Sequence, residues 1–357
     1  MATSEDPVQQ LSERLGIQWR AIADATSASE ARMRTLDAQL GQFTTEDTSI
    51  VVFGSLARHE LTSGSDLDWV LLVDGIADPE HLGASLDIEA RLKEQAVKGP
   101  GAEATFGGLA FSHDLINYIG GGDDTNANLT RRMLLLLESA CIGRNDAYQR
   151  VINNILGRYI REDYGWMHTW NPRNVPRFLQ NDMARYWRTL AVDFAYKRRQ
   201  RAGRGWALRT AKLRLSRKIT YASGLLICFD CAINPPETVI APGVDPESAA
   251  LAIVDHLSKL VSLPPLGLFA KLFLQFENLK PAASKLFGAY DEFLRLLNND
   301  DIRSRLDELG QAEAATDPVY QQVRDIGHEF QGALDAVFFD PAGCPEIHEL
   351  TKTYGVF

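Results

Sequence analysis

The fold is decided by residues 50–73, which read IVVFGSLARHELTSGSDLDWVLLV. The two ends, residues 50–53 and 69–73, are apolar and β-branched, which predicts two buried strands. Between them the sequence predicts a Gly-Ser turn, one or two helical turns over residues 55–60 and a polar loop. Asp66 and Asp68 open the second strand. Because side chains two residues apart on a strand point to the same face, both carboxylates are expected to face one space.

This pattern has a chemical use. Two neighbouring carboxylates repel each other unless a cation lies between them, and their hard oxygen ligands suit Mg²⁺. Gly54 lets a ligand approach the backbone, and Ser55 is predicted to begin a helix whose free N–H groups favour a phosphate. A phosphate site beside a paired-aspartate metal site is what metal-assisted phosphoryl or nucleotidyl transfer requires.

The order of these residues resembles a known signature. Gly54-Ser55, then Arg58 and Glu60, then Ser65-Asp66-Leu67-Asp68 and an apolar strand resemble the DNA polymerase β-like nucleotidyltransferase superfamily. The closest resemblance is to its bacterial protein-modifying branch, which includes the uridylyltransferase of nitrogen signalling and shorter relatives of unassigned substrate. The resemblance covers about 25 residues and joins a glycine turn, two carboxylates and two strands in one order.

The resemblance implies transfer of a nucleoside monophosphate from a nucleoside triphosphate (NTP) to an acceptor, with release of pyrophosphate. It implies that Asp66 and Asp68 are catalytic ligands of Mg²⁺, or of Mn²⁺ in its place. It also implies that Gly54 and Ser55 bind the triphosphate through backbone N–H groups and the hydroxyl. Arg58 and Ser65 are further predicted nucleotide-binding residues.

A third carboxylate usually lies on a strand after the connecting helix in this superfamily. Glu103 lies at about that place in the chain, and Asp114 is the next acid along. Neither lies in a clear strand pattern, so the sequence departs from the signature here. We expect Glu103 to complete the catalytic metal site. The alternative is that the third ligand is missing and activity is lost.

A basic segment lies further along the chain. Residues 185–218 contain twelve Lys or Arg residues and one acid, Asp193, although the net charge of the chain is −10. One interpretation is a solvated helical face. A second is binding of an RNA acceptor, with Trp206 stacking on a base. A third is contact with the triphosphate in the catalytic cleft.

For the cleft interpretation, the candidate nucleotide-binding residues are Lys212 and Arg217, together with Arg214 and Lys218. Three of them, Arg214, Arg217 and Lys218, share one helix face at i, i+3 and i+4 spacing. Lys212 is expected to point elsewhere, so the four cannot all reach one site.

The predicted fold class is α+β, a small mixed sheet with flanking helices, followed by an all-α helical bundle. We expect residues 1–48 to form two helices that break near Ala25–Ser29 and pack on the sheet. Residues 49–145 would form the catalytic domain, and residues 146–357 the helical domain. A long helix is predicted to run from Leu129 to Cys141, with Asp123 and Asp124 as a helix cap rather than metal ligands.

Several other classes of protein are disfavoured. No uninterrupted apolar run reaches the roughly 18 residues of a membrane span, and the acidic N-terminus is not a secretory signal, so we expect a cytoplasmic protein without a membrane partner. Cys228 and Cys231 lie in an apolar run without a second ligand pair, which indicates buried, inert thiols. No P-loop lysine and no Gly-x-Ser-x-Gly motif occur.

The acceptor is left open by the sequence. The resemblance favours a protein or a small molecule, because no tandem nucleic-acid module is present. One alternative is a catalytically weak or silent nucleotide-binding regulator, similar to an antitoxin. Another is synthesis of an oligonucleotide second messenger, which uses the same Gly-Ser and Asp-x-Asp chemistry.

Overall fold

The computed structural model describes residues 6–94, 99, 106–163, 175–200, 204–241 and 243–355. Its four strands form one mixed sheet in the order β3-β2-β1-β4. The strands are β1 (Thr48–Phe53), β2 (Asp68–Val73), β3 (Gly108–Phe111) and β4 (Ser139–Ile142). β1 is antiparallel to β2 and β4, and β2 is parallel to β3. This sheet with its flanking helices, followed by a helical remainder, confirms the predicted fold class.

The helices lie before, between and after the strands. Those up to residue 162 are α1 (Pro7–Leu15), α2 (Arg20–Leu40), α3 (Pro79–Glu94), α4 (Ser112–Ile116), α5 (Asn126–Leu137) and α6 (Asp146–Glu162). The remainder contains α7 (Arg177–Gln200), α8 (Trp206–Lys212), a π-helical segment (Leu213–Arg217), α9 (Lys218–Ile233), α10 (Glu237–Ile240), α11 (Pro246–Val261), α12 (Pro265–Gln275), α13 (Lys280–Leu297), α14 (Asp300–Glu308), α15 (Gln311–Ala314), α16 (Pro318–Phe338) and α17 (Pro345–Leu350).

Each face of the sheet is buried against helices. Alternate strand residues such as Ile50 and Leu71 pack with Leu36 of α2 and Ile88 of α3. The other alternation, which includes Val51, joins the large core of the helical remainder. Because strand side chains alternate between faces, the continuous apolar pattern of β1 and β2 is what two covered faces require. The proposed division into domains at residues 48 and 145 stays a prediction.

The N-terminal helices differ from the prediction. The break lies after Gly16, which adopts the left-handed conformation at φ 66° and ends α1, and α2 runs unbroken through residues 25–29. A glycine at this position ends a helix because it has no Cβ to clash in that conformation. α1 packs on α12 instead of on the sheet, and α2 contacts both β4 and α13.

The predicted helix up to Cys141 is also wrong at its end. α5 stops at Leu137, and residues 139–142 form β4, which pairs with the otherwise open edge of β1. Local periodicity favoured a longer helix, but residues 139–142 form hydrogen bonds with the open edge of β1 instead.

A buried cluster of charges holds α5, α6 and α7 together. The Arg132 side chain is fully buried and donates to Asp124 at 2.8 and 3.1 Å, to Asp182 at 3.0 Å and to the Tyr159 hydroxyl at 2.7 Å. The cap of α5 is Thr125, whose side chain accepts a hydrogen bond from the N–H of residue 128. The predicted capping role of Asp123 and Asp124 is therefore wrong, and Asp124 is an ion-pair partner.

The four cysteines are free thiols, and Cys228 and Cys231 are fully buried in α9. Burial raises the pKa of both thiols above the ordinary value. The prediction of buried, inert thiols is confirmed.

Among the residues that the structure describes, no single helix is long and apolar enough to cross a membrane. α11 and α12 meet that test only as a pair, with a bend of 109° between them.

Replacing Arg132 with Met is expected to lower the free energy of unfolding by about 3–5 kcal/mol, because two buried carboxylates lose their partner. Urea unfolding followed by circular dichroism measures the change. The matched control is Arg158→Met on α6, where the arginine side chain is 42% exposed and the expected change is within about 0.5 kcal/mol. Equal effects of the two substitutions would contradict the importance of the buried cluster.

Candidate functional site

The site begins at the turn that follows β1. Gly54 has φ 72°, a conformation that strains any residue with a Cβ. Residues 54–59 form successive turns rather than the predicted helix. The N–H of Arg58 bonds to the carbonyl of Gly54 at 2.9 Å, as in an α-helix, but the N–H of Glu60 bonds to Ser55, five residues back, at 2.7 Å. The N–H of Gly54 donates to the carbonyl of Glu138 at 3.2 Å, which occupies a donor that the sequence analysis assigned to a phosphate.

The two aspartates of the motif line one cavity. Asp68 is the first residue of β2. Asp66 lies in the loop before the strand, exposed to solvent, so the prediction that it opens the strand is wrong. Their cavity, of about 150 Å³, is also lined by Ser55 and Ser65. Burial raises the pKa of Asp68 to about 6; the carboxylates of Asp66 and Glu138 add to this rise, whereas Arg217 and Arg58 oppose it. A cation bound between the two carboxylates would offset the part of this rise that comes from the charge of Asp66.

A buried ion cluster fixes the turn against the bundle. Glu138, between α5 and β4, accepts hydrogen bonds from Arg58 of the turn and from Arg217 of the π-helical segment. Arg58 also donates to Glu60 at 2.9 Å, and the Tyr290 hydroxyl of α13 donates to the same carboxylate at 2.7 Å. Burial alone would raise the pKa of Glu138, but the two arginines hold it below the usual range. We call these five residues the Glu138 cluster.

Two predicted nucleotide-binding residues, Arg58 and Ser65, line the cavity and also have hydrogen-bond partners within the protein. The guanidinium of Arg58 lines the cavity but is held by two carboxylates, so the geometry gives it a positioning role for the turn. Ser65 also lines the cavity and accepts a hydrogen bond from the N–H of Thr62 at 3.1 Å. Direct contact of either residue with a nucleotide stays a prediction.

The π-helical segment brings two basic side chains to one face. Five residues separate Lys212 from Arg217, which in an α-helix places them about 140° apart. In π-helical geometry, residues five apart lie close to the same face, and both side chains line the cavity. The expectation that Lys212 points away from Arg217 is therefore wrong. Arg214 is exposed, and Lys218 donates to Gln331 at 2.5 Å, outside the cavity.

The surroundings of Lys212 change its acidity. Burial, Arg303 and Arg217 lower the pKa of its amine to about 8, whereas Asp66 acts in the opposite direction. Cations placed close together and away from water are unfavourable until an anion joins them. This part of the cavity therefore favours a polyanion.

Sequence reasoning missed Arg303 and Glu138. Arg303, on α14, donates to the Thr62 hydroxyl at 3.1 Å and to the carbonyl of Gly64, and it lines the cavity. Its short amphipathic helix gave no signal of function. Glu138 did give one: a lone acid directly after the buried run Met133–Leu137 indicates a paired charge.

The predicted third carboxylate, Glu103, lies outside the described residues, and its role stays a prediction. Asp114 lies in α4, directly after β3. Because Phe111 at the end of β3 is opposite Val73, Asp114 lies at the far end of β2 from Asp68. Within the described ranges, no group of three or more His, Cys, Asp or Glu side chains is placed to hold a metal ion.

Two residues of the basic segment, Lys197 and Trp206, have partners within the fold. Trp206 packs on Tyr320 with 5.3 Å between ring centroids, and Lys197 pairs with Asp193 at 2.9 Å. These contacts favour the helical-face and cleft interpretations over stacking of Trp206 on an RNA base.

Residues 34–99 match the family model of the nucleotidyltransferase domain. The match runs from α2 through β1, the Gly-Ser turn and β2 to α3, and so includes Gly54, Ser55, Asp66 and Asp68. No curated protein and no solved structure matches the chain. The resemblance to nucleotidyltransferases is confirmed for these residues, whereas the resemblance to the uridylyltransferase-like branch is not.

Asp68→Asn tests the charge in the cavity. Because folding raises the pKa of Asp68 from 3.8 to about 6, its contribution to stability is complete below the lower value and is lost as the pH rises through the higher one. Without divalent cations, the free energy of unfolding of the wild type should therefore fall by about 1–2 kcal/mol relative to that of the variant as the pH rises from about 4 to about 7. Urea unfolding across this range measures it, with Asp255→Asn, 66% exposed, as the control.

Deprotonation of Asp68 destabilises the fold, whereas binding of Mg²⁺ to the deprotonated carboxylate should stabilise it. At neutral pH Mg²⁺ is expected to raise the melting temperature of the wild type and of the Asp255 control, but not of Asp68→Asn, because a bound cation stabilises only the folded state that holds it. An equal shift in all three proteins would contradict a cation site at Asp68.

Proposed function

We propose that this protein is a Mg²⁺-dependent nucleotidyltransferase that moves a nucleoside monophosphate from an NTP to a protein or small-molecule acceptor and releases pyrophosphate. The observation that carries the proposal is one cavity in which Asp66 and Asp68 face Lys212, Arg217 and Arg303. A lining that contains both carboxylates and cations suits a polyphosphate that is bound together with a divalent metal.

The donor set fits Mg²⁺. The ligands that the cavity offers are the carboxylate oxygens of Asp66 and Asp68, and hard oxygen donors are what Mg²⁺ prefers. When bound, Mg²⁺ would neutralise phosphate charge and lower the pKa of the acceptor hydroxyl. Asp66 and Asp68 would hold it, and Glu103 is proposed as the third ligand.

The basic side of the cavity would hold the β- and γ-phosphates. Arg217 is fixed by Glu138, and Arg303 is fixed by Thr62 and the carbonyl of Gly64. Donors that are already oriented stabilise developing charge without reorganisation. We therefore assign Lys212, Arg217 and Arg303 to the triphosphate and the leaving pyrophosphate.

The Gly-Ser turn would complete the phosphate site. Gly54 has no Cβ, and an added Cβ would lie 3.6 Å from Asp68 Oδ2. Its absence leaves room for a phosphate oxygen beside the carboxylate pair. The Ser55 hydroxyl lines the same cavity and can donate to that phosphate. Arg58 and Ser65 would keep the turn and the loop in place.

The double variant Asp66→Asn, Asp68→Asn is expected to lose nucleotide transfer by at least about a hundredfold, because neither metal ligand keeps its charge. The protein is incubated with each NTP labelled at the α-phosphate, Mg²⁺ and cell extract as the source of acceptor. Asp255→Asn is the control that removes an exposed carboxylate. Transfer by the double variant at the control rate would contradict the assignment.

The same assay separates the alternatives. Label in a product formed from NTP alone would favour synthesis of an oligonucleotide. Nucleotide binding by calorimetry without any transfer by the wild type would favour a silent regulator.

Lys212→Met is expected to weaken NTP binding by about tenfold or more, because the cavity loses a cation that is shielded from water. The matched control is Lys218→Met, which removes a lysine from the first position of α9, outside the cavity. Calorimetric titration with a non-hydrolysable NTP measures both. Equal loss of affinity in the two variants would indicate a general charge effect and contradict the role of Lys212.

A further inference from the structure

A second, larger cavity adjoins the catalytic one. Its volume is about 1090 Å³, and it shares Thr62, Ser65, Asp66 and Leu294 with the smaller cavity. Lys212, Arg217 and Arg303 line only the smaller cavity, which we call the basic chamber. Asp66 lines both cavities, so it lies where the basic chamber meets the wider one.

The wide cavity is a groove between two helices. One wall is a face of α2 and the other is the C-terminal end of α13. Six α2 residues line the groove, and five of them have spacings of i, i+3, i+4, i+7 and i+11, which is one helical face. These five are Ala21, Asp24, Ala25, Ala28 and Arg32, and the sixth is Arg20 at the start of the helix. The three alanines on this face leave the space open, and the exposed positions Asp24 and Ala28 show that the groove is open to solvent.

The chemistry of transfer places the acceptor on this side. In an in-line displacement, the attacking oxygen and the leaving oxygen lie on opposite sides of the phosphorus. If the basic chamber holds the leaving pyrophosphate, the acceptor hydroxyl approaches from the other side of Asp66, where the groove lies.

We propose that the groove is the acceptor site and that it binds an extended segment of a protein chain with a Ser, Thr or Tyr hydroxyl. This inference rests on the proposed function. In the step, the hydroxyl oxygen bonds to the α-phosphorus and the bond from that phosphorus to its bridging oxygen breaks. The electron pair leaves with pyrophosphate, and the hydroxyl proton passes to water.

The length of the groove supports a polypeptide. The α2 face from Ala21 to Arg32 spans about 16 Å at 1.5 Å per residue, which matches about five residues of extended chain. A volume of about 1090 Å³ is at the upper end for compact small-molecule sites, and those usually enclose most of their ligand.

The charge of the groove argues against RNA. Its lining has three basic residues, Arg20, Arg32 and Arg295, and three acidic ones, Asp24, Asp66 and Asp291. A nucleic-acid site carries a clear excess of positive charge, because most of its contacts go to phosphates. Balanced charges and the amides of Asn298 and Asn299, which also line the groove, suit the backbone and side chains of a peptide.

The test is to fill the groove without touching the catalytic cavity. Ala28→Trp adds a large ring from an exposed position on the groove face of α2, and Ala28→Arg fills it with a residue that favours helix. The matched control is Ala23→Trp, an exposed alanine of α2 outside the groove. Each protein receives α-labelled NTP, Mg²⁺ and cell extract that has been dialysed and treated with ribonuclease.

We expect wild type and Ala23→Trp to label protein, and both Ala28 variants to label it at least about tenfold more slowly. Binding of a non-hydrolysable NTP, and release of pyrophosphate by slow transfer to water, should stay at the wild-type level in all four. These two readouts show that the variants are folded and that the catalytic cavity is intact.

Two results would contradict the assignment of the groove as the acceptor site without contradicting nucleotide transfer itself. The first is protein labelling by the Ala28 variants at the wild-type rate. The second is label that enters only RNA or dialysable molecules when untreated extract is used. A wild type that binds NTP but releases no pyrophosphate with either extract would overturn the proposed function, and the acceptor site with it.

Discussion

The buried carboxylate of Glu138 is the constraint on which the rest of the site depends. It joins Arg58 of the Gly-Ser turn to Arg217 of the bundle, and its backbone carbonyl holds the N–H of Gly54. The Glu138 carboxylate and the Arg58 guanidinium are both buried, so removing either one leaves an unpaired buried charge, which costs several kcal/mol. The turn, β4 and the π-helical segment are thereby fixed relative to one another.

This constraint separates two sets of charges. Arg58, which contacts both Glu60 and Glu138, has its charge balanced within the protein and serves to position the turn. Arg217 contacts Glu138 and also lines the cavity. Asp66, Asp68 and Lys212 lie around the cavity, where burial and neighbouring charges shift the pKa of Asp68 up and that of Lys212 down. Shifts in these directions mean that each group gains from a ligand of opposite charge, a cation for the carboxylates and a polyphosphate for the amine.

The local part of this arrangement could be predicted from the sequence, and the non-local part could not. Two apolar runs around Gly-Ser and Asp-x-Asp predict adjacent strands, because strand pairing over so short a distance is a local property. Asp66 and Asp68 line one cavity as predicted, but strand alternation is not the reason, since Asp66 lies in the loop before β2. Glu138 and Arg303 come from distant parts of the chain, so their arrival depends on tertiary packing. Lys212 was placed on the wrong face because 3.6-residue periodicity does not anticipate a π-helical segment.

Errors in the secondary structure have the same origin. Residues 139–142 follow a leucine-rich helix and carry on its apolar pattern, yet the open edge of β1 converts them into β4. The end of α1 was predicted too late because a single glycine at position 16, in the left-handed conformation, outweighs the helical periodicity that continues after it.

The central claim is that an NTP bound in the cavity is attacked at its α-phosphorus by an acceptor, with release of pyrophosphate. ³¹P magnetic resonance of the wild type with Mg²⁺, each NTP and cell extract tests it most directly, because it identifies the bond that breaks. The account predicts that pyrophosphate accumulates with one or more nucleotides. Accumulation of a nucleoside diphosphate with orthophosphate would mean attack at the γ-phosphorus and would contradict it.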